Sequence, residues 1–482
     1  MSLMSFSPQY SPATDHTRLG DLFYDVVEPA RFPQHILRYR NQRAAASVGL
    51  DTLTDEEWIE HFGRFSPLPG SLPHPLALRY HGHQFRQYNP DLGDGRGFLF
   101  AQLRDTNGRL LDLGTKGSGR TPWSRGGDGR LTLKGGVREI LAASMLEALG
   151  VDTSRAFSLI ETGEKLDRHD EPSPTRSAVL VRLGHSHIRI GTFQRLAAHA
   201  ETAAIGSLIT YVLETYYPEL TVPEGDSGAL VLFEAVCERV ARTGAQWMAA
   251  GFVHGVLNTD NIAITGESFD YGPWRFLPRF EPGFTAAYFD HQGLYAYGRQ
   301  PAALGWNLAR LAECLLEFAP HTGLTEILSR FPARYEAELD AAWIRRLGVA
   351  PCDEHSDRAL RQAVTLFMEE SGIPFDALPF DWFGGGSSAE RAAASPRAPI
   401  YQRSDFAPVR TLLETRTPAA GVTLAHPYFA GNTPCTMLID TVETLWTQLA
   451  EHDDWGALEA KLAQIDEMAV ALGNRSPAPS SP

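Results

Sequence analysis

An α+β fold, strand-rich in its first half and helix-rich in its second, is what this sequence predicts, and three observations carry the prediction. Short runs of alternating apolar residues fall between Phe98 and Leu183. From about Phe193 the apolar spacing changes to the helical period. Gly (43) and Pro (32) run slightly high, which favours a loop-rich mixed fold over a helical bundle.

The first 75 residues carry short amphipathic pieces broken by Pro and Gly and end in a Pro-Leu-Pro-Gly-Ser-Leu-Pro run at 67–73, which reads as an N-terminal extension. Phe98–Leu103 and Leu110–Leu113 read as strands of an antiparallel sheet. A Gly-rich loop, 116–130, interrupts them. Val137, Ile140, Leu141, Met145 and Leu149 share one face of a helix over 137–149, stopped by Gly150. Phe157–Ile160 and Ser177–Leu183 pair as a hairpin across a polar turn. Leu208–Tyr216, Ala229–Ala250 and Ala302–Phe318 are helices, with Asn261–Thr265 a short strand between the last two. Phe383-Gly-Gly-Gly-Ser-Ser388 and Ala392–Pro399 resemble a flexible surface linker, and Ser476–Pro482 a disordered tail. The chain therefore divides into an extension (1–75), a strand-rich lobe (76–192), a helical lobe (193–375) and a C-terminal extension (376–482).

At 43% hydrophobic and 21% charged, the 482 residues compose an ordinary globular chain. Its 43 Lys+Arg against 58 Asp+Glu give a net charge of −15, which argues against a protein that coats nucleic acid. Cys237, Cys314, Cys352 and Cys435 form no CxxC pair, so a reducing cytoplasm is the simplest location. No leader peptide and no bilayer-spanning run is visible, so no membrane partner is expected.

Two constellations carry chemistry. Gly93-Asp-Gly-Arg96, Lys116, Asp128-Gly129 and Glu139 combine backbone that can approach phosphate oxygens with cations that neutralise them, a polyphosphate cradle that is neither a Walker loop nor a Rossmann fingerprint. A strand Lys116 paired with a helix Glu139 is how protein kinases orient ATP phosphates. The second set is His254, Asp260-Asn261 and Asp270-Tyr-Gly272. Asn261 stands seven after His254, as in a kinase catalytic loop, but Val256 occupies the usual base position and the carboxylate has moved to Asp260. Asn261 and Asp270 are hard oxygen ligands suited to Mg²⁺ or Mn²⁺, leaving Asp260 free as a base. Arg182 and Arg189 complete the candidates. Arg182 lies in an apolar strand, where it needs an anion. The pairs His81/His83 and His185/His187 could chelate a transition metal with Asp290 or His291, but such spacings are usually met by solvent or backbone.

With these residues in hand the chain resembles the selenoprotein O family, known in bacteria as YdiU. The resemblance covers about Tyr80 to Phe318. It rests on Tyr80-His-Gly-His-Gln-Phe85, Leu92-Gly-Asp-Gly-Arg96, Leu113–Thr121, Asp128-Gly-Arg130, the 254–261 loop, Phe269-Asp-Tyr-Gly-Pro273 and Trp306-Asn-Leu308. It implies a protein-kinase-like two-lobed fold that binds ATP in a reversed orientation and transfers AMP to Ser, Thr or Tyr hydroxyls of other proteins or of the chain itself. It also implies nucleotide contacts at Gly93, Gly95, Arg96, Lys116, Asp128, Gly129, Arg182, Arg189 and Asp270, with Asp260 as proton acceptor and Asn261 and Asp270 as metal ligands. Uridylyl transfer from UTP with Mn²⁺, a non-catalytic nucleotide-binding scaffold and ordinary phosphotransfer are the competing readings. Many relatives carry a Cys or selenocysteine near the C-terminus; this chain has none there, so redox control through it is not expected.

Overall fold

The computed structural model describes residues 6–169 and 171–476. Thirteen strands appear in it: β1 (Pro12–Ala13), β2 (Tyr24–Val26), β3 (Ile36–Arg40), β4 (Leu76–Leu78), β5 (Gly82–Gln84), β6 (Gln87–Asn89), β7 (Leu99–Arg104), β8 (Leu110–Lys116), β9 (Leu131–Thr132), β10 (Arg155–Leu166), β11 (Thr175–Gly184), β12 (Phe252–Val253) and β13 (Arg275–Phe276). Nine form one antiparallel sheet in the order β2-β4-β7-β8-β11-β10-β3, with β1 on β7 and β9 on β11. The four strands expected between 98 and 183 are present: β7 is shifted by one residue, and β8, β10 and β11 run beyond their apolar cores because ladder pairing extends into the flanks.

Both sheet faces are buried, so successive residues of one strand enter different cores. Along β11, Ala178 and Leu180 join the larger core while Val179, Val181 and Leu183 join the smaller. On the first face lies α3 (Leu133–Ala148), which begins four residues before the apolar spacing does because the Thr132 hydroxyl caps it by accepting from the Gly135 N–H. On the other face lie α1 (Gln42–Ser47) and α2 (Asp55–Phe62), the latter opened by a capping box between Thr54 and Glu57.

Residues 12–40, expected in an extension, instead supply three strands to the sheet. β1 and β2, of two and three residues, are too short to show a period, and the five of β3 interleave arginines with apolar residues without a clean alternation, so only pairing reveals them. Trp58 of α2 is fully buried, stacks on Phe157 at 4.9 Å between ring centroids, and donates from Nε1 to the Ser158 hydroxyl at 2.9 Å.

The second half is helical: α4 (Ile190–Ala198), α5 (Thr202–Tyr216), α6 (Ala229–Ala249), α7 (Gln300–Cys314), α8 (His321–Arg346) and α9 (Glu354–Ser371), followed by further helices. The expected strand at Asn261–Thr265 is absent; Thr259–Asn261 is one 3₁₀ turn, and only Ala263 makes an isolated bridge, to Arg189. The expected surface linker at 383–388 is corrected too. Phe383 and Ser388 are buried and Gly385–Ser388 is a 3₁₀ turn, since the glycines let Phe383 sink while the backbone presses against Arg416, where a Cβ on Gly385 would meet a carbonyl at 2.9 Å. Ala392–Pro399 runs from the end of one short helix through a turn at 395–397 into the start of the next. The expected tail lies almost wholly outside the described residues. Helices Ile439–His452 and Gly456–Ala471 return to α3, where Lys134 pairs with Glu443 at 2.7 Å and Arg475 with Glu147 at 2.9 Å. Among the described residues no helix is long and apolar enough to cross a membrane.

Replacing Trp58 by Ala is expected to lower stability by about 3–5 kcal/mol, the cost of a cavity under a large aromatic. Urea unfolding of the full chain checks this. An unchanged midpoint would mean that residues 1–75 do not share the sheet's core.

Candidate functional site

Four polypeptide segments bring the charged residues together. Lys116 ends β8, a strand whose every residue is buried, and its side chain is itself almost wholly buried. The next element, α3, turns Glu139 toward it, and the two form a buried ion pair. Arg182 lies beside them on β11, which pairs with β8 in a register that sets Gly114 opposite Arg182 and Lys116 opposite Leu180. Asp270 arrives from a turn in which its backbone is left-handed (φ 63°), an unfavourable conformation for a residue with a Cβ. Lys116 at 2.8 Å and Arg182 at 3.1 Å hold that turn by its carboxylate. Burial pushes the Asp270 carboxyl up, but the two cations outweigh it and keep it well below the usual carboxylate range. Arg182 also stands 3.8 Å from Glu139, so the anion its strand position demanded is a pair of carboxylates.

A cavity of about 800 Å³ opens onto this cluster. Its size suits a small organic ligand. Gly93, Gly95, Arg96, Lys116, Asp128, Gly129, Arg182, Arg189, Asp260, Asn261 and Asp270 all line it, and Glu139 stands behind Lys116. Gly93 and Gly95 have a structural reason as well: Trp123 packs over them, and a Cβ on Gly93 would lie 2.4 Å from its ring. Asp128 accepts from the Arg130 N–H at 2.9 Å and pairs with Arg168 at 2.9 Å, closing the Gly-rich loop against the β10–β11 turn.

Arg189 is almost fully buried, 4.0 Å from the centroid of the Tyr80 ring and 3.5 Å from Asp94. The sequence carries no separate signal for Tyr80 and Asp94 as parts of the site, although both stand inside its motifs. Nor did it point to Trp123 or Arg168, which reach the cavity only through folding. Asp260 sits in the 3₁₀ turn. Burial raises its carboxyl to about 7 against the pull of Arg189, and its Oδ1 has no hydrogen-bond partner. Asn261 donates from Nδ2 to the Val256 carbonyl at 2.9 Å, which leaves its amide oxygen for a ligand. One amide oxygen and one carboxylate are hard donors that fit Mg²⁺ or Mn²⁺, whose remaining positions water and phosphate oxygens can fill.

The histidine pairs go elsewhere. His81 meets the Tyr88 hydroxyl at 2.6 Å, His83 the Gln194 amide at 2.7 Å and His187 Asp112 at 3.3 Å, while Asp290 accepts from two backbone N–H groups of its own loop. Among the described residues no three His, Cys, Asp or Glu side chains are grouped to hold a metal.

The chain is similar to known proteins. The family profile described as protein adenylyltransferase SelO matches residues 5–466. A protein nucleotidyltransferase YdiU from Synechocystis sp. is 53% identical over 344 residues, 71% of each chain. Proteins of the same name from Synechococcus elongatus and Gloeobacter violaceus are each 46% identical, over 94% and 92% of both chains.

Lys116→Ala is expected to destabilise the chain by about 3–5 kcal/mol, because it strands a buried carboxylate. The double variant Lys116→Met/Glu139→Leu should lose clearly less than the sum of the two single changes. Denaturant unfolding of the four proteins measures this, and additive losses would mean that the pair is not energetically linked.

Proposed function

The chain belongs to the SelO family of protein adenylyltransferases, and from that premise we propose that it transfers AMP from ATP to Ser, Thr or Tyr hydroxyls of proteins, releasing pyrophosphate. One observation supports this most: Lys116, Arg182 and Arg189 converge on a single cavity that also holds a buried, partnerless carboxylate oxygen on Asp260. In this reading the strand-rich residues 76–192 and the helical residues 193–375 are the two lobes of a protein-kinase-like fold, and the cavity is the cleft between them.

The acceptor oxygen forms a bond to the α-phosphorus while the bond from that phosphorus to the bridging oxygen breaks, and pyrophosphate carries away the electron pair. Cations placed where that negative charge accumulates lower the barrier, because they need no reorganisation in a water-poor cleft. Lys116, Arg182 and Arg189 fill this role, with Arg96 and the backbone of Gly93, Gly95 and Gly129 around the polyphosphate. Asp260 takes the hydroxyl proton, a task suited to a carboxyl whose burial has raised its proton affinity toward neutrality. Asn261 and Asp270 would hold Mg²⁺ or Mn²⁺, which supplies further charge stabilisation at the phosphates. Glu139 orients Lys116. A scaffold without chemistry would have no use for Asp260, since leaving one buried carboxylate oxygen without a hydrogen bond lowers stability.

UTP is the alternative donor, because the curated relatives are named for nucleotidyl transfer without a stated base. Intact-protein mass spectrometry after incubation with ATP or UTP, each with Mg²⁺ or Mn²⁺, and with and without added protein acceptors, distinguishes them. An AMP adduct is expected from the wild type. Asp260→Asn should reduce its rate about 10²–10⁴-fold, the usual worth of a general base. Asp270→Ala should abolish it while leaving the fold intact. A UMP adduct alone would replace ATP by UTP, and wild-type rates in Asp270→Ala would remove the metal assignment.

A further inference from the structure

Beyond Tyr80, which packs on Arg189, the motif Tyr80-His-Gly-His-Gln-Phe85 has no role in the chemistry above, yet it opens the small hairpin of β5 and β6, which stands apart from the main sheet. Phe85 and Arg86 at its tip both have left-handed backbones (φ 49° and 64°), the geometry of the tightest hairpin turn but adopted here without glycine. Such backbone persists only where surrounding contacts impose it. Phe85 supplies them: its ring packs 5.0 Å from that of Tyr295, and its N–H donates to Asn258 Oδ1 at 3.1 Å.

Asn258 opens the turn that carries Asp260, and the hairpin touches three consecutive residues of it. At Asn258 it donates from Phe85. At Thr259 a closed ring of hydrogen bonds forms: the His83 N–H donates to the Thr259 hydroxyl at 2.7 Å, that hydroxyl to Gln194 Oε1 at 2.5 Å, and Gln194 Nε2 to His83 Nδ1 at 2.7 Å. Because Nδ1 accepts, the ring proton of neutral His83 sits on Nε2. At Asp260 the contact is steric, since a Cβ on Gly82 would lie 2.8 Å from Oδ1 and 3.1 Å from the aspartate Cβ. The hairpin is itself fixed to the start of α4, where the His81 N–H donates to the Gly191 carbonyl at 3.0 Å and a Cβ on Gly191 would meet the His81 oxygen at 2.1 Å.

An irregular loop has no repeating ladder to set its shape, so bonds from outside must do so. We propose that the 82–89 hairpin is a strap that fixes the Asp260 carboxylate in its reactive position, with His83 and Gly82 as positioning residues acting through Thr259 and Asp260. The inference rests on the role given above to Asp260. It predicts loss of turnover without loss of nucleotide affinity, because the strap bears on the base and not on the cations.

The test compares the full-length wild type with His83→Leu, His83→Asn and Gly82→Ala by amide hydrogen exchange across residues 254–261 and by kcat and ATP KM for nucleotidyl transfer. His83→Leu removes one acceptor from the ring. It should speed exchange in the loop and lower kcat about tenfold, the equivalent of one hydrogen bond, with KM within about twofold of the wild type. His83→Asn, which restores an acceptor near Nδ1, should recover both. Gly82→Ala displaces the carboxylate and should cost about 100-fold in kcat. Wild-type exchange and kcat in His83→Leu, wild-type kcat in Gly82→Ala, or a rise in KM with kcat unchanged would overturn the strap. If the wild type transfers no nucleotide, the reading of Asp260 as base fails, and loop exchange decides the strap alone: unchanged protection in His83→Leu overturns it.

Discussion

A balanced cluster of buried charge is the constraint around which this molecule is organised. Lys116 and Arg182 face Glu139 and Asp270 within ion-pair distance, two cations against two anions. Taking Lys116, Arg182 or Glu139 from water alone would cost several kcal/mol, so these three are tolerable only together, whereas Asp270 is half-buried and its loss leaves the fold standing. Their pairing requires β8, α3 and β11 to be in register at once, and the 270 turn docks on the result. The nine-stranded sheet, buried on both faces, supplies the rigidity that a fixed constellation needs. Because these four charges already balance, the proposed reaction draws further positive charge from Arg96 and Arg189, which line the same cavity, and from a divalent ion.

The other half of the site has no such scaffold. Asp260 and Asn261 stand on a single 3₁₀ turn, and loops of this kind take their shape from what they touch. The contacts come from distant parts of the chain: Asn307 of α7 donates to the Leu257 carbonyl at 2.8 Å, Tyr295 to Asn258 at 2.8 Å, and the β5–β6 hairpin to Asn258 and Thr259. Division of labour follows from this. The sheet side sets charge and the helical side presents the groups that must be placed accurately, with the hairpin joining the two.

Much of this was legible in the sequence for identifiable reasons. Long elements with a clean period, such as 229–249 and 175–184, show themselves because burial forces the spacing. The charged positions stood out because Lys, Arg and Asp among apolar or glycine-rich neighbours need partners, and the order of Lys116, Glu139, Asn261 and Asp270 restricts the possibilities. Illegible were features that exist only through long-range pairing. The strands at 12–13 and 24–26 have no period of their own, and the glycine run at 383–388 reads as flexible because nothing local announces that Phe383 is buried. Tyr80, Asp94 and Trp123 join the cavity through packing against Arg189, Gly93 and Gly95, partners that composition cannot assign.

The account's central claim is that this charge cluster serves transfer of the nucleotide's α-phosphoryl end, with pyrophosphate leaving. Incubating the protein and a polypeptide acceptor with ATP labelled separately at the α- and γ-phosphates tests it most directly. The account predicts that the α label becomes covalently bound while the γ label appears in released pyrophosphate. Covalent retention of the γ label, with ADP released, would contradict it and assign the cleft to phosphotransfer.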